Sequence, residues 1–324
     1  MSKTGGIIMA WKTKLTELLS IDYPIIQGGM AYISDGVLAA AMAHAGCAGI
    51  IGSGGFTTDE VRDNIRRARD ILGPKGIYGV NLMLQAPNKD DVAQVICDEK
   101  VPFVTLGAGN PVPWFDDLHH ASVKCIPVVP NVKLAKQVQD AGADALVVEG
   151  MEAGGHDGKL TLMALLENVL PDIEIPVVAA GGIVDGRGIA AALIMGASGV
   201  QMGTRFLLAE ECRLHPKAKE AIIKAKDRDS TVTGFTTGDS VRGIKNAFSE
   251  KYLKAEYSGA PLEELIALAT GTTRKGAVEG DTENGFVLAG MSLTHLTKIQ
   301  PVEEIVEELV SETERRLAGA KGLI

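Results

Sequence analysis

Residues 176–204, PVVAAGGIVDGRGIAAALIMGASGVQMGT, contain one complete copy of the pattern that decides the fold. An apolar run from Pro176 to Ala179 is followed by two glycines, and Gly186 to Met195 carries apolar residues at helical spacing. A second apolar run, Gly199 to Met202, completes the stretch. Short apolar runs that alternate with helical segments are typical of parallel strands joined by helices. The stretch therefore predicts a strand–helix–strand unit.

The same unit recurs along the chain. Three related segments, Ala45 to Gly49, Ala141 to Ala145 and Met195 to Gly199, each join a helical segment to an apolar run, and the glycine in each fits a helix C-cap. The eight apolar runs predicted as strands are Pro24 to Gln27, Ala48 to Ile51, Ile77 to Asn81, Phe103 to Leu106, Lys124 to Val129, Ala145 to Val148, Pro176 to Ala179 and Gly199 to Met202. Eight repeats predict an α/β fold, a closed (β/α)8 barrel of the TIM type.

An open, doubly wound sheet is the alternative fold. It requires a reversal of strand order that a sequence does not reveal, and no G-x-G-x-x-G motif opens a helix after the first apolar run. The repeats therefore favour the barrel.

The pattern changes after Met202. Glu210 to Lys226 and Val241 to Lys254 read as helices, and Asp227 to Asp239 reads as a polar loop between them. Pro301 to Leu317 has apolar residues on one face and predicts an amphipathic helix. The expected organisation is an N-terminal extension (residues 1–10), a barrel (11–209), a small basic helical insertion or subdomain after strand 8 (210–290) and a C-terminal helical closure (291–324).

Composition limits the classes of function. The chain has 324 residues, 46% of them hydrophobic, and a formal net charge of -9, which argues against a general nucleic-acid surface. Arg213 to Lys254 is an exception, with ten lysines or arginines against five acids. This segment is either a solvated helix face or a docking patch for an acidic partner.

The four cysteines form no C-x-x-C pair and are expected to be reduced. The apolar patch from Gly5 to Trp11 is too brief for a secretory signal, and no apolar run reaches the length of a membrane span. We therefore expect a cytoplasmic protein.

Glycine and polar residues follow nearly every predicted strand, at the end of a barrel where functional loops lie. Tight turns are the alternative explanation, but glycines on one rim indicate a flat ligand approached closely by backbone. Gly181-Gly182 and Gly203-Thr204 follow the last two strands, where such barrels often bind phosphate. The other loops are Gly28-Gly29-Met30, Gly52 to Gly55, Asn81 to Met83, Gly107 to Pro111 and Glu149 to His156.

His156 is the candidate catalytic residue. It stands behind Gly154 and Gly155 in the loop after the sixth predicted strand, where an imidazole can move a proton next to a bound ligand. A structural histidine held by a backbone partner is the alternative. The histidines show no metal-ligand spacing such as H-E-x-x-H, so no catalytic metal is predicted.

These motifs resemble the nitronate monooxygenase superfamily of FMN barrels, and within it the bacterial FMN-dependent enoyl-acyl carrier protein reductases of class II. The likeness runs from about Trp11 to the C-terminal helix. It is carried by Tyr23 to Met30, Gly107 to Pro111, Glu149 to His156, Ala179 to Ile183, Gln201 to Phe206, Val241 to Asn246 and Gly280-Asp281.

The resemblance implies an FMN site and a catalytic role for His156. Many nitronate monooxygenases have glutamine at position 149, whereas the reductases carry glutamate, as this chain does. The residues implied to contact the isoalloxazine and ribityl parts are Gly28, Gly29, Met30, Ser53, Asn81, Glu149 and Gly154. Those implied to hold the phosphate end are Gly181, Gly182, Gln201, Gly203 and Thr204, and Met202 is counted with the cofactor-binding residues.

The implied activity is NADH- or NADPH-dependent reduction of trans-2-enoyl thioesters in fatty acid biosynthesis, with acyl carrier protein as the acidic partner. The resemblance also implies a homodimer and dependence on a monovalent cation. Two other functions stay open. One is oxidation of alkyl nitronates with FMN and oxygen, and the other is a barrel that binds a phosphorylated ligand without redox chemistry.

Overall fold

Eight parallel strands form a barrel in a computed structural model that describes residues 10–73, 76–320 and 322. We number all strands in chain order, so β7 is a short strand outside the barrel. The barrel strands are β1 (Ile25–Gln27), β2 (Gly49–Gly52), β3 (Tyr78–Met83), β4 (Phe103–Gly107), β5 (Lys124–Val129), β6 (Leu146–Glu149), β8 (Val177–Ala180) and β9 (Gly199–Met202). Each coincides with a predicted strand to within two residues, which confirms the TIM-type barrel.

The barrel closes between β1 and β2. Neighbouring strands follow the order β1-β9-β8-β6-β5-β4-β3-β2, and the two ends meet where Gln27 N donates to Ala48 O (2.8 Å) and Ala48 N donates to Ile25 O (2.9 Å). The fully buried Gln27 side chain reinforces this seam, because its Oε1 accepts from Ile50 N (3.0 Å) and its Nε2 donates to Ser34 Oγ (2.8 Å). No strand edge is left unpaired at this point.

Helices surround the barrel, and several of them begin at side chains that cap them. Thr57 and Glu60 form a capping box at α3, and Asp35 and Asp185 accept backbone N–H groups at α2 and α8. The helices are α1 (Lys14–Leu19), α2 (Gly36–His44), α3 (Thr58–Leu72), α4 (Lys89–Asp98), α5 (Phe115–His120), α6 (Val132–Asp140), α7 (Leu162–Val169), α8 (Gly186–Met195), α9 (Pro216–Lys224), α10 (Ala247–Tyr257), α11 (Leu262–Ala269), α12 (Thr272–Ala277) and α13 (Val302–Ala320).

The barrel interior is packed with apolar side chains. Ile26, Phe103, Ile126 and Val178 belong to one buried cluster, and Leu15 of α1 packs into the same cluster. Leu15 lies against Gly199, the first residue of β9, so α1 covers the amino-terminal end of the barrel. The opposite rim, at the carboxyl ends of the strands, is where barrels of this type carry their ligand sites.

A small subdomain follows β9 and contains both helices and strands. Its antiparallel sheet has the order β10 (Ser230–Thr233), β11 (Val241–Ile244) and β7 (Gly155–His156). The helix predicted from Val241 to Lys254 is therefore wrong in its first part, since 241–244 pairs with β10 and the helix begins only at Ala247, capped by Asn246. The subdomain is therefore not purely helical. Residues 241–244 form a strand because backbone pairing with neighbouring strands stabilises them more than so short a helical pattern would.

The polar loop predicted from Asp227 to Asp239 is also wrong in part, because residues 230–233 form β10. The helix predicted from Glu210 begins at Pro216, where proline occupies the first turn and His215 caps it. The predicted C-terminal helix is α13. The expected N-terminal extension lies outside the described residues except for Ala10. All four cysteines are unpaired, and no helix in the described ranges is long and apolar enough to cross a membrane.

Gly186 tests the contact between α8 and α13. A methyl group at this position would lie 2.5 Å from Thr313 N, so Gly186→Ala should lower the free energy of unfolding by about 1–3 kcal/mol through overpacking. Gly319→Ala is the control, because no atom lies within 4 Å of the added methyl group, and it should be neutral or slightly stabilising. Urea denaturation measures both, and equal stabilities would contradict the close packing.

Candidate functional site

A cavity of about 960 Å³ lies at the carboxyl end of the barrel, between the strand-end loops and the subdomain. This volume is at the upper end of the range for ligand sites. The structure brings His156 and twelve of the thirteen predicted cofactor residues to the cavity wall. They are Gly28, Gly29, Met30, Asn81, Glu149, Gly154, Gly181, Gly182, Gln201, Met202, Gly203 and Thr204.

Ser53 is the predicted residue that does not line this cavity. It is 1% exposed, its Oγ accepts from Met83 N (3.2 Å), and its N–H donates to Asn81 O (3.1 Å). Ser53 therefore holds the carboxyl ends of β2 and β3 together from behind the wall. The sequence could not distinguish this position from a cavity-facing one, because both lie in the same glycine-rich loop.

One end of the cavity presents backbone donors. Among the described residues, the N–H groups of Gly182, Gly203 and Thr204 donate to no protein acceptor, and all three residues line the cavity. Gly181 and Gly182 have φ values of 103° and 72°, which glycine adopts without strain. Unpaired N–H groups at the start of a helical turn form an anion site. This end of the cavity suits a phosphate group.

A segment to which the sequence gave no role in the site braces these loops. Ser292 Oγ donates to Gly182 O (2.7 Å), and Gly290 N donates to Thr204 Oγ1 (2.9 Å). Gly290 and Ser292 also line the cavity. Their contribution comes from a loop about one hundred residues away in the chain, so spacing gave no signal for it.

Glu149 supplies an acid in the middle of the site. It ends β6, pairs with Ala180 of β8 and lines the cavity. Burial and, to a lesser extent, the nearby Asp157 carboxylate together raise the pKa of Glu149 to about 8. At about pH 7 the carboxyl group is therefore mostly protonated and can donate a hydrogen bond to a ligand.

His156 lies on β7 and pairs with Val241 of β11. Its side chain is 44% exposed and lines the cavity, and its Nε2 lies 3.1 Å from Oδ1 of Asp239. The catalytic candidate is thus held in the subdomain sheet, although it follows a barrel strand in the sequence. Asp239 was placed in a polar loop by the sequence, and no residue pattern connected it to His156.

A buried ion pair fixes the strand that carries His156. Arg242 and Asp157, with side chains 6% and 5% exposed, approach to 3.3 Å. Arg242 also donates to Met151 O (3.0 Å) and to Ser230 Oγ (3.1 Å), so it joins the loop after β6 to β10 and β11. The segment from Val241 to Asn246 was part of the family resemblance, but its role as a clamp appears only in the structure.

The subdomain gives the cavity an apolar wall. Phe248 and Tyr252 of α10, Leu265 of α11 and Phe286 form one buried cluster and line the cavity. Leu262 and Ile266 also line it and are 55% and 56% exposed, so the cavity opens to solvent beside α11. Sequence reasoning missed this wall, although Phe248 and Tyr252 have the four-residue spacing of one helix face.

One group of possible metal ligands occurs elsewhere. Ligand atoms of His119, Cys125 and Asp144 lie within 4.8 Å of one another near the start of β5, at the barrel end opposite the cavity. Asp144 Oδ2 already accepts from Cys125 N (2.8 Å) and pairs with His119 Nε2 (2.9 Å). Through these contacts the Asp144 carboxylate links α5 to β5, which explains its position without a metal ion.

The rim of glycine loops, the phosphate-type donors and the histidine define a barrel enzyme for a phosphorylated planar cofactor. A model of the nitronate monooxygenase family matches residues 12–95 and 92–312, so the chain belongs to the nitronate monooxygenase family. A probable nitronate monooxygenase of Staphylococcus aureus strain JH9 is 30% identical over 349 residues, which cover 93% of this chain and 97% of that protein.

Solved structures extend the comparison. FabK from Thermotoga maritima superposes with a TM-score of 0.93 at 42% identity, over 97% of this chain and 100% of that one. A nitroalkane oxidase from Streptomyces ansochromogenes gives 0.85 at 28% identity, over 95% and 100% of the respective chains. The family and these structures identify a flavin-dependent oxidoreductase, and FMN is the cofactor expected for it.

The raised pKa of Glu149 has a consequence for stability. Between about pH 4.5 and pH 8 the folded protein keeps a proton on Glu149 that the unfolded chain releases, so this residue lowers stability increasingly as pH rises. We therefore compare the free energy of unfolding of Glu149→Gln with that of the wild type. The difference in favour of the variant should be at least about 1 kcal/mol larger at about pH 8 than at about pH 5. Urea denaturation at the two pH values measures the difference. Glu264→Gln controls for the loss of an exposed carboxylate, and a pH-independent Glu149→Gln effect would contradict the prediction.

The buried clamp predicts a large loss of stability. Arg242→Met leaves the Asp157 carboxylate buried without its partner and should cost about 3–5 kcal/mol. Lys224→Met removes an ion pair with Glu220 whose side chains are 72% and 61% exposed, and should cost less than about 1 kcal/mol. Similar losses in chemical denaturation would show that Arg242 and Asp157 do not form a buried pair.

Proposed function

We propose that this protein is an FMN-dependent enoyl-acyl carrier protein reductase, which uses NADH or NADPH to reduce trans-2-enoyl thioesters in fatty acid biosynthesis. The observation that carries the proposal is the composition of one cavity, in which a glycine-lined end with free backbone donors adjoins a histidine and an extended apolar wall. The 42% identity to FabK supports it, because FabK enzymes are reductases of this class.

The residues on the rim fit FMN. Gly182, Gly203 and Thr204 would hold the phosphate through their N–H groups, and the close backbone at Gly28 and Gly29 would face the flat ring system. The protonated Glu149 would donate a hydrogen bond to a polar atom of the ring or ribityl chain. When bound, FMN supplies the hydride chemistry that links the nicotinamide cofactor to the substrate.

His156 would supply the proton of the reaction. Reduction of the enoyl thioester adds hydride to the β-carbon and a proton to the α-carbon, while NADH or NADPH is oxidised. Negative charge develops on the thioester oxygen and the α-carbon as hydride arrives, and a protonated imidazole on the cavity wall can stabilise it and then transfer its proton.

The apolar wall supports an acyl substrate. Phe248, Tyr252, Leu265 and Phe286 line the cavity beyond His156, and an acyl chain can cover this surface and displace water from it. The chain would enter beside Leu262 and Ile266, where the cavity opens. A short alkyl nitronate would leave most of this surface uncovered.

Acyl carrier protein would dock on the basic segment from Arg213 to Lys254. Lys219 and Arg242 are buried, so they take no part in such a surface, whereas Lys217, Lys224 and Arg228 are exposed. Replacing these three exposed residues with glutamate should raise KM for the carrier-bound substrate and leave KM for a short enoyl-CoA unchanged. Unchanged kinetics with both substrates would contradict docking of acyl carrier protein on this segment.

Oxidation of alkyl nitronates with oxygen is the second candidate function. The family model, the Staphylococcus aureus relatives and the nitroalkane oxidase structure favour it. His156 would then act as a base or an anchor for the nitronate. The apolar wall and the identity to FabK favour the reductase over this alternative.

One experiment separates the two functions. Under anaerobic conditions, crotonyl-CoA should stimulate NADH or NADPH oxidation by the purified flavoprotein, since the enoyl thioester replaces oxygen as the electron acceptor. Oxygen consumption with an alkyl nitronate, without stimulation by crotonyl-CoA, would instead identify a nitronate monooxygenase. A purified protein without a flavin spectrum would contradict both.

His156→Ala tests the acid. It should slow the return of flavin absorbance on addition of crotonyl-CoA by roughly 100-fold or more, and slow flavin bleaching by NADH much less, because only the first reaction consumes the proton. His44→Ala is a matched control, since His44 is an exposed histidine at the end of α2 and does not line the cavity. Equal losses in the two half-reactions would leave His156 with a structural role only.

A further inference from the structure

The position of His156 depends on the subdomain rather than on the barrel. Gly155 and His156 form β7 and pair with Arg242 and Val241 of β11. The next residue continues the connection, because Asp157 N donates to Ser240 O (3.3 Å) and Ser240 Oγ donates to the Asp157 carboxylate. The backbone on both sides of His156 is thereby attached to one edge of the subdomain sheet.

Backbone pairing does not orient the imidazole ring. The ring is 44% exposed, and the side-chain contact that the structure gives it is with Asp239, at 3.1 Å between Nε2 and Oδ1. No other ion pair or hydrogen bond to the ring occurs within the described residues. Rotation about two side-chain torsions would otherwise move the ring nitrogens by several ångströms.

The turn that carries Asp239 is itself held in place. Asp239 lies between β10 and β11, where Thr237 Oγ1 donates to Gly234 O (2.8 Å). Glu256 of α10 is 4% exposed, and its carboxylate accepts from Thr236 N (2.7 Å) and Gly234 N (3.3 Å). Glu256 therefore anchors the turn, and Asp239, whose side chain is 61% exposed, lies on the cavity wall next to His156.

We propose that Asp239 is the positioning residue for His156: its carboxylate holds Nε2 and leaves Nδ1 as the ring nitrogen that serves the substrate. The carboxylate also complements the positive charge of the protonated ring. The other ionisable groups on this part of the cavity are Glu149 of β6 and Tyr252 of α10, whereas Arg242 of β11 is engaged with Asp157. The catalytic part of this inference rests on the proposed function.

The kinetic test uses the flavin-loaded enzyme and separates the half-reactions. Asp239→Asn should slow flavin reoxidation by crotonyl-CoA roughly 10–100-fold and change flavin reduction by NADH less than about 2-fold, because orientation of the acid matters only where a proton is transferred. Asp239→Glu retains the charge and should recover part of the loss. Asp227→Asn is the matched control, since Asp227 is an exposed acid of the same subdomain that makes no ion pair or hydrogen bond among the described residues.

A second measurement observes the ring itself. In protein labelled with ¹⁵N at histidine, and with the His156 signals assigned by loss in His156→Gln, Asp239→Asn should shift the ring nitrogen resonances of His156, whereas Asp227→Asn should not. An unchanged spectrum overturns the proposal, and so does an equal loss of both half-reactions. If the wild-type enzyme fails to turn over crotonyl-CoA, the proposed function fails, and the spectrum alone decides the role of Asp239.

Discussion

Closure of the parallel sheet at the seam between β1 and β2 is the constraint on which the rest of the structure depends. Gln27 contributes at this point with both backbone and side chain, and the backbone hydrogen bonds across the seam leave no edge unpaired there. Once the sheet is closed, its interior fills with apolar side chains, and α1 covers the amino-terminal end. The eight strand-end loops then converge on the remaining rim, where a ligand can reach them.

The subdomain completes the site rather than merely extending the chain. It supplies an apolar wall through α10 and α11 and holds the strand that carries His156. The barrel rim alone offers glycine loops and backbone donors, which suit a cofactor. The meeting of the two parts adds a histidine and an apolar surface, so the cavity offers more than the backbone donors of a simple phosphate-binding barrel.

Much of the fold could be predicted because parallel barrel strands are buried on both faces and appear as short, nearly continuous apolar runs. The eight strands follow from such runs, and the final helix follows from its amphipathic spacing. The segment 241–244 could not be predicted, because its strand partners lie in β10 and in a loop some eighty residues earlier. Ser53 shows the same limit within the site, since a residue in a glycine-rich loop can face the ligand or support the wall from behind.

The amino-acid sequence by itself determined the barrel, the glycine-rich rim, the candidate histidine and the absence of metal-ligand spacings, because these depend on local periodicity and on residue types. Only the tertiary structure decided that Arg242 pairs with Asp157, that Asp239 meets His156, and that Glu149 is buried enough to hold its proton. The reason is physical. Ion pairs between distant segments and the desolvation of a carboxyl group depend on what surrounds each group in space, and chain order does not contain that information.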